Sequence, residues 1–245
     1  GPGNALIEMG ATLDAGDQIY GLGGPGTLTV SLDGDYSAGL ALTMLSEVTG
    51  IDLASGNSYN LTEADVNVGA GQTLTVDGSA LGASDNLTFD GSAETDGNLV
   101  LIGGAGADVL TGGAQSDTFQ FDQVSDSTGT GYDTITNIDF SSDLISLDAG
   151  AAAPVAIDAA ITSGALSTAS FDSDLAAAVD AGHLAAGDAV LFTADSGTLS
   201  GHTFLVVDHN GQAGYQAGQD YVIDVTGYAG TLTTASFWEA VSSAS

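Results

Sequence analysis

The chain has 245 residues, 32 of them acidic and none of them Lys or Arg, for a formal net charge of −32. No side chain can clamp a phosphate, and the charge repels nucleic acid and anionic bilayers, so neither is an expected partner. Cysteine is absent, which excludes disulfides and thiolate metal sites. No apolar run approaches the roughly 18 residues that mark a membrane span.

Hydrophobic residues make up 43% of the chain, too many for a disordered acidic tail. The length suits one large all-β domain or two smaller ones. The acids are 27 Asp against 5 Glu, and no two are adjacent. Asp belongs in turns and at oxygen-rich ion sites. An acidic surface of the halophile kind would account for the charge alone. The complete loss of Lys alongside 36 Gly points further, to neutralisation by an external hard cation, with Ca2+ the expected cofactor. Gly1-Pro2-Gly3 reads either as a cleavage scar or as an ordered native end. With no leading Met and no signal-peptide pattern, the chain is expected to be processed, excised, or exported without an N-terminal signal.

Short strands recur along the chain. Gly26–Val30, Gln72–Asp77 and Asn86–Asp90 alternate apolar residues with Thr, as strands with one buried face do. Leu74-Thr75-Val76-Asp77-Gly78-Ser79-Ala80 is repeated closely as Leu87-Thr88-Phe89-Asp90-Gly91-Ser92-Ala93. Such repetition predicts a stacked solenoid. From Ser170 to Ala181, Phe171, Leu175 and Val179 recur every fourth residue, with Asp172 and Asp174 in the first turn and Gly182 placed to end a helix. Three more apolar strands follow at Ala189–Phe192, Thr203–Val207 and Tyr221–Val225. The expected architecture is all-β: a parallel β-roll or β-solenoid over residues 1–150, then a C-terminal β cap with one short helix over 151–245, divided near Gly150.

The sharpest motif is Gly103-Gly104-Ala105-Gly106-Ala107-Asp108-Val109-Leu110-Thr111, which matches G-G-x-G-x-D-x-U-x, where U is large and apolar. Gly112-Gly113-Ala114-Gln115-Ser116-Asp117-Thr118-Phe119-Gln120 matches except at Gln115. Thr128–Thr136 matches at Gly129, Gly131, Asp133 and Ile135. The glycines allow a tight turn with converging carbonyls, the Asp adds a hard carboxylate, and U starts a strand facing the core. Two nonamers complete a coil of about 18 residues, with calcium expected between neighbouring coils. That spacing gives Asp108 two partners, Asp90 and Asp126. It gives Asp117 no acid, so Asp96 or Asp133 would have to serve.

Residues 95–148 resemble RTX-type proteins, which leave Gram-negative bacteria by type I secretion. The resemblance extends past the nonamers through Gly131–Phe140 and Ser142–Ile145, and implies further calcium ligands at Asp139 and Asp143. Residues 45–102 resemble a solenoid module of large secreted RTX proteins. Residues 187–237 resemble the C-terminal end of type I secreted surface-layer proteins. The resemblance implies a secreted, extracellular chain.

A second ion loop is expected at Asp208-His209-Asn210-Gly211 with Asp220, although an ordinary hairpin turn fits as well. Asp17 with Gly21, Gly23 and Gly24 looks like a decayed nonamer. No G-x-S-x-G, H-E-x-x-H or P-loop is present, and the chain is read as non-catalytic. Two functions follow. One is a calcium-dependent structural protein that assembles with itself as a surface layer, filament or biofilm-matrix subunit, with cell-surface polysaccharide as a further partner class. The other is a calcium-binding export and folding module of a larger secreted hydrolase or adhesin.

Overall fold

The structure, a computed structural model, describes residues 4–20, 26–148 and 153–238. It is mostly β: a parallel β-solenoid of about five turns with a single short helix. The chain divides into two compact units, Gly1–Gln120 and Phe121–Ser245. The boundary expected near Gly150 lies outside the described residues, as do Gly1–Gly3 and Gly21–Gly24.

The first unit is built from β1 (Ala5–Gly10), β2 (Ile19–Tyr20), β3 (Leu28–Asp33), β4 (Tyr36–Leu42), β5 (Leu45–Ser46), β6 (Gly50–Leu53), β7 (Tyr59–Glu63), β8 (Thr73–Asp77), β9 (Leu87–Asp90), β10 (Asn98–Ile102), β11 (Val109–Thr111) and β12 (Thr118–Gln120). Strands β1, β3, β6, β8, β10 and β12 pair in that order, all parallel. Strands β4, β7, β9 and β11 form a second parallel series, and β2 pairs with β5.

Registration puts like on like. Val30, Ile51, Val76, Leu101 and Phe119 form one column of in-register partners, each buried. Leu40, Leu61, Phe89 and Leu110 form the facing column. Burying each such side chain contributes roughly 1.5–3 kcal/mol, so the alternation of apolar residues with Thr is what holds the coils in line. The repeated Asp-Gly-Ser marks two equivalent corners. Asp77 and Asp90 each accept the N–H of the Ser two residues on, and Gly78 and Gly91 each donate to a carbonyl of the next coil, Ile102 and Thr111. A Cβ at Gly78 would lie 2.6 Å from that Ile102 oxygen, so the corner admits only glycine.

The second unit holds β13 (Asp133–Thr136), β14 (Leu144–Ser146), α1 (Phe171–Ala178), β15 (Ala189–Thr193), β16 (Thr203–Val207), β17 (Tyr221–Asp224) and β18 (Phe237–Trp238). Strands β15, β16 and β17 are antiparallel, β13 runs parallel to β17, and β14 parallel to β18. Phe171, Leu175 and Val179 pack into one cluster with Val190, Phe192, Phe204, Val206 and Val222. The helix is shorter than the expected span to Ala181. Its geometry breaks at Val179, whose carbonyl accepts the N–H of Tyr215, while Asp180 accepts the N–H of Gly182 in a separate turn.

One buried acid sits inside the first unit. The side chain of Asn67 joins three neighbours: its amide donates to Leu42 O and Glu63 Oε1, and its oxygen accepts from Leu45 N. Glu63 is 2% exposed. Burial first, and then the charge of Glu94, push its carboxyl up to about 7 against the opposing hydrogen bond from Asn67. A raised acid holds its proton more tightly when folded. Its contribution is therefore fully present below the unfolded value near 4.5 and is lost as pH rises through about 7. Glu63→Gln, which keeps the acceptor for Asn67 and cannot ionise, should stabilise the chain at pH 8 by on the order of 2–3 kcal/mol. It should leave stability unchanged near pH 4.5. Urea melts in chelator at both pH values check this, and equal midpoints at pH 8 would contradict it.

Candidate functional site

The two tandem nonamers form matching turns. In the first, Asp108 is 1% exposed, and its Oδ1 accepts the N–H of Leu87 at 2.7 Å, 21 residues back in the chain. In the second, the buried Asp117 accepts the N–H of Leu99 at 2.8 Å, 18 residues back, and that of Gly113 at 2.6 Å. Each carboxylate thus pins the start of a strand in the preceding coil.

The glycines follow from these carboxylates. The Cβ position of Gly103 is taken up by the Asp108 side chain, and that of Gly112 lies 2.6 Å from Asp117 Oδ2. The second glycine faces backwards: Gly104, at φ +95°, abuts the Gly78 carbonyl, and Gly113 lies against the Glu94 carbonyl. Gly106 closes on the backbone oxygen of Asp85. At the equivalent place Gln115 is exposed, and its amide donates to Thr95 O at 2.9 Å, so the missing glycine is replaced by a side-chain bridge to the previous coil.

The spacing departs from a uniform 18 residues. Asp117 reaches back 18, Asp108 reaches 21, and Asp85, which accepts the Gly56 N–H at 2.8 Å, reaches 29. Turn length varies while sheet register is kept. Asp90 consequently pairs in register with Thr111 and not with Asp108, and its carboxylate is occupied with the Ser92 corner. Asp96 is exposed, in the turn before β10, and its N–H donates to Glu94 Oε1.

The third near-match does not form the nonamer turn. Gly129–Gly131 is a 3-10 turn, and Tyr132 stacks on Phe171 at 5.1 Å. Asp133 is buried at the start of β13, its N–H donating to Ser127 Oγ. Asp126 is also buried. Its Oδ2 accepts the N–H groups of Asp122 and Gln123, and burial pushes its carboxyl above the usual range. Asp139 and Asp143 do come together: Asp143 Oδ2 accepts the Asp139 N–H at 2.8 Å, and Asp139 Oδ1 accepts from Ser141.

The structure also gathers Asp208, Asn210 and Asp220. Asp208 accepts from Gly187 and Gly211. Asn210 donates to Gln216 Oε1. Asp220 accepts from His209 and Gln216. Burial, with a smaller push from the Asp208 charge, raises the Asp220 carboxyl to about 6. Asp17 takes the Asp14 N–H in a local turn.

Sequence reasoning missed Asp85 and Asp188, which behave as the nonamer aspartates do. Asp85 accepts from Gly56 and Gly82, and Asp188 from Ala156. A signal existed in the order of residues. An Asp stands two positions before a buried strand residue at Asp85/Leu87, Asp108/Leu110, Asp117/Phe119, Asp133/Ile135, Asp143/Ile145, Asp188/Val190 and Asp220/Val222. The motif that builds the site is this Asp-x-apolar step, and the glycines accompany it only where the turn is tightest.

Chemically, these are carboxylates in surroundings of backbone N–H and C=O, with oxygen as the donor atom on offer to a metal. That set suits hard cations. No protein-family model matches the chain, and a comparison with curated proteins finds no match. The parallel solenoid is compatible with an RTX-type β-roll.

Removing the Asp108 carboxylate strands the Leu87 N–H inside the coil. In chelator, Asp108→Ala should therefore lose about 1–3 kcal/mol of stability. Asp33→Ala should lose under about 0.5 kcal/mol, as a surface change does, because Asp33 is exposed and accepts a long 3.4 Å bond from the Asn57 amide. Urea denaturation of both variants measures the difference, and equal losses would remove the capping role.

Proposed function

We propose that this chain is an extracellular, non-catalytic structural protein that binds calcium and assembles with copies of itself, as a surface-layer, filament or matrix subunit exported by type I secretion. One observation carries the reading. A solenoid whose first 120 residues contain no Lys, Arg or His buries turn carboxylates, Asp108 and Asp117 among them, beside backbone N–H groups. Burying charge is costly, the chain has no Lys or Arg to set beside it, and a divalent cation would supply the positive charge. Asp108 and Asp117, with turn carbonyls, would hold it, and Asp143, Asp208 and Asp220 offer the same donor type. Binding would add folding free energy, because an unfolded chain has no formed site.

Self-assembly rests on the ends of the two sheets. β1 and β4 are terminal strands, with no strand on their outer sides among the described residues, and Leu6 on β1 is 57% exposed. Unpaired edges template further pairing. At low calcium the −32 charge keeps copies apart within about a Debye length, near 8 Å at physiological salt. Each bound divalent cation offsets two of those charges and weakens that repulsion.

Light scattering and electron microscopy of the purified protein should show growth at about 1 mM calcium, reversal with chelator, and none with sodium at matched ionic strength. Growth with sodium alone would reduce the ion's role to screening. Calcium-bound monomers at every concentration would favour the export-module function instead. By calorimetric titration, Asp108→Ala should weaken calcium binding more than Asp33→Ala, and equal effects would mean a diffuse acidic surface.

A further inference from the structure

We infer that Asp65, Glu94 and Asp96 form a calcium site at the seam between two successive coils of the first unit. Asp65 lies in the loop after β7, and Glu94 and Asp96 lie in the turn between β9 and β10. One carboxylate oxygen from each lies within 4.8 Å of the other two. The two loops are joined there: Thr95, between the two turn acids, donates both its N–H and its hydroxyl to Asp65 Oδ1.

Glu94 points to a ligand independently of this clustering. Its side chain is fully buried. Oε1 accepts the N–H groups of Asp96 at 3.0 Å and Gly97 at 2.7 Å, whereas Oε2 is buried with no hydrogen-bond partner. A buried acceptor without a donor is rare and costly, and more so when it belongs to a charged group. The chain has no Lys or Arg to meet it. A cation held by Glu94 and the two exposed carboxylates would place positive charge beside that buried carboxylate. Three oxygen donors and no nitrogen or sulfur select a hard ion. One anchored ligand with two exposed ones suits the adaptable shell of calcium, completed by water, better than the strict octahedron of magnesium.

Only Asp96 belongs to the set read from the sequence, and the site does not depend on the glycine-rich turns. The rival way to satisfy Oε2 is a proton shared with Glu63, whose own Oε2 is buried without a partner. That arrangement predicts no response to calcium.

Hydrogen exchange followed by mass spectrometry on the full chain, with peptic peptides, distinguishes these cases whether or not the protein assembles. Calcium should slow exchange across Glu94–Gly97 at least about tenfold, half-maximally at about 0.1–1 mM. The double variant Asp65→Asn, Asp96→Asn keeps an acceptor for Thr95 and alters only exposed side chains, so its fold should be retained. It should lose the protection at Glu94–Gly97 and keep any protection at Gly103–Gly106. No calcium-dependent protection at Glu94–Gly97, or protection that persists unchanged in the double variant, overturns the site. Protection at Glu94–Gly97 without any at Gly103–Gly106 would leave this site standing and remove the glycine-rich turns from the proposed function.

Discussion

A chain with no Lys or Arg must stabilise buried carboxylates with its backbone, and the rest of the structure depends on that constraint. Hydrogen bonds from N–H to an ionised acceptor are roughly twice as strong as neutral ones. Asp85, Asp117 and Asp208 each take two backbone donors. Asp serves in the turns beside the strands because its short side chain reaches the backbone a few residues away and that of the neighbouring coil. The only basic side chains, the histidines, lie in the second unit and are paired: His202 with Asp224 at 2.7 Å, His183 with Asp180 at 2.8 Å, and His209 with Asp148 at 3.7 Å.

Packing supplies what the charges oppose. The in-register column from Val30 to Phe119 and its counterpart from Leu40 to Leu110 set the register, and the turns are free to differ in length. The ladder also carries a cost. Asp52 and Asp77 are in-register neighbours on adjacent parallel strands, and burial together with the Asp77 charge holds the Asp52 carboxyl above its ordinary range. Like charges directly opposite are destabilising, and in this chain no basic side chain sits between them.

Much of the architecture is legible in the sequence because strand alternation and turn residues are local signals. Thr203–Val207 is found as read, and Ala189–Phe192 and Tyr221–Val225 differ from β15 and β17 by one residue. The tandem nonamers end in β11 and β12 as their apolar residues imply. Strand β4 escaped notice because Gly39, at φ +102°, and a register shift between Tyr36 and Leu40 break its alternation. The pairing of acids between coils was illegible for a different reason. It depends on turn lengths, which no repeat unit fixes, so an 18-residue rule carried Asp117 to Leu99 but placed Asp90 wrongly. Glu94 was overlooked because one acid in a turn of this chain looks like any other until its burial is known.

Exposed acids and amides bond between coils in both senses, Thr95 donating back to Asp65 for example, but four buried ones share a direction. Asp117 holds Leu99, Asp108 holds Leu87, Asp85 holds Gly56 and Asn67 holds Leu45, in each case a later residue gripping an earlier one. Peeling a coil from the C-terminal side leaves its predecessor with a bare N–H facing the interior. Peeling from the N-terminal side leaves a carboxylate, which water solvates readily. For these buried groups the two sides of a coil are chemically unequal: its C-terminal neighbour supplies the acceptor, and it supplies the donor.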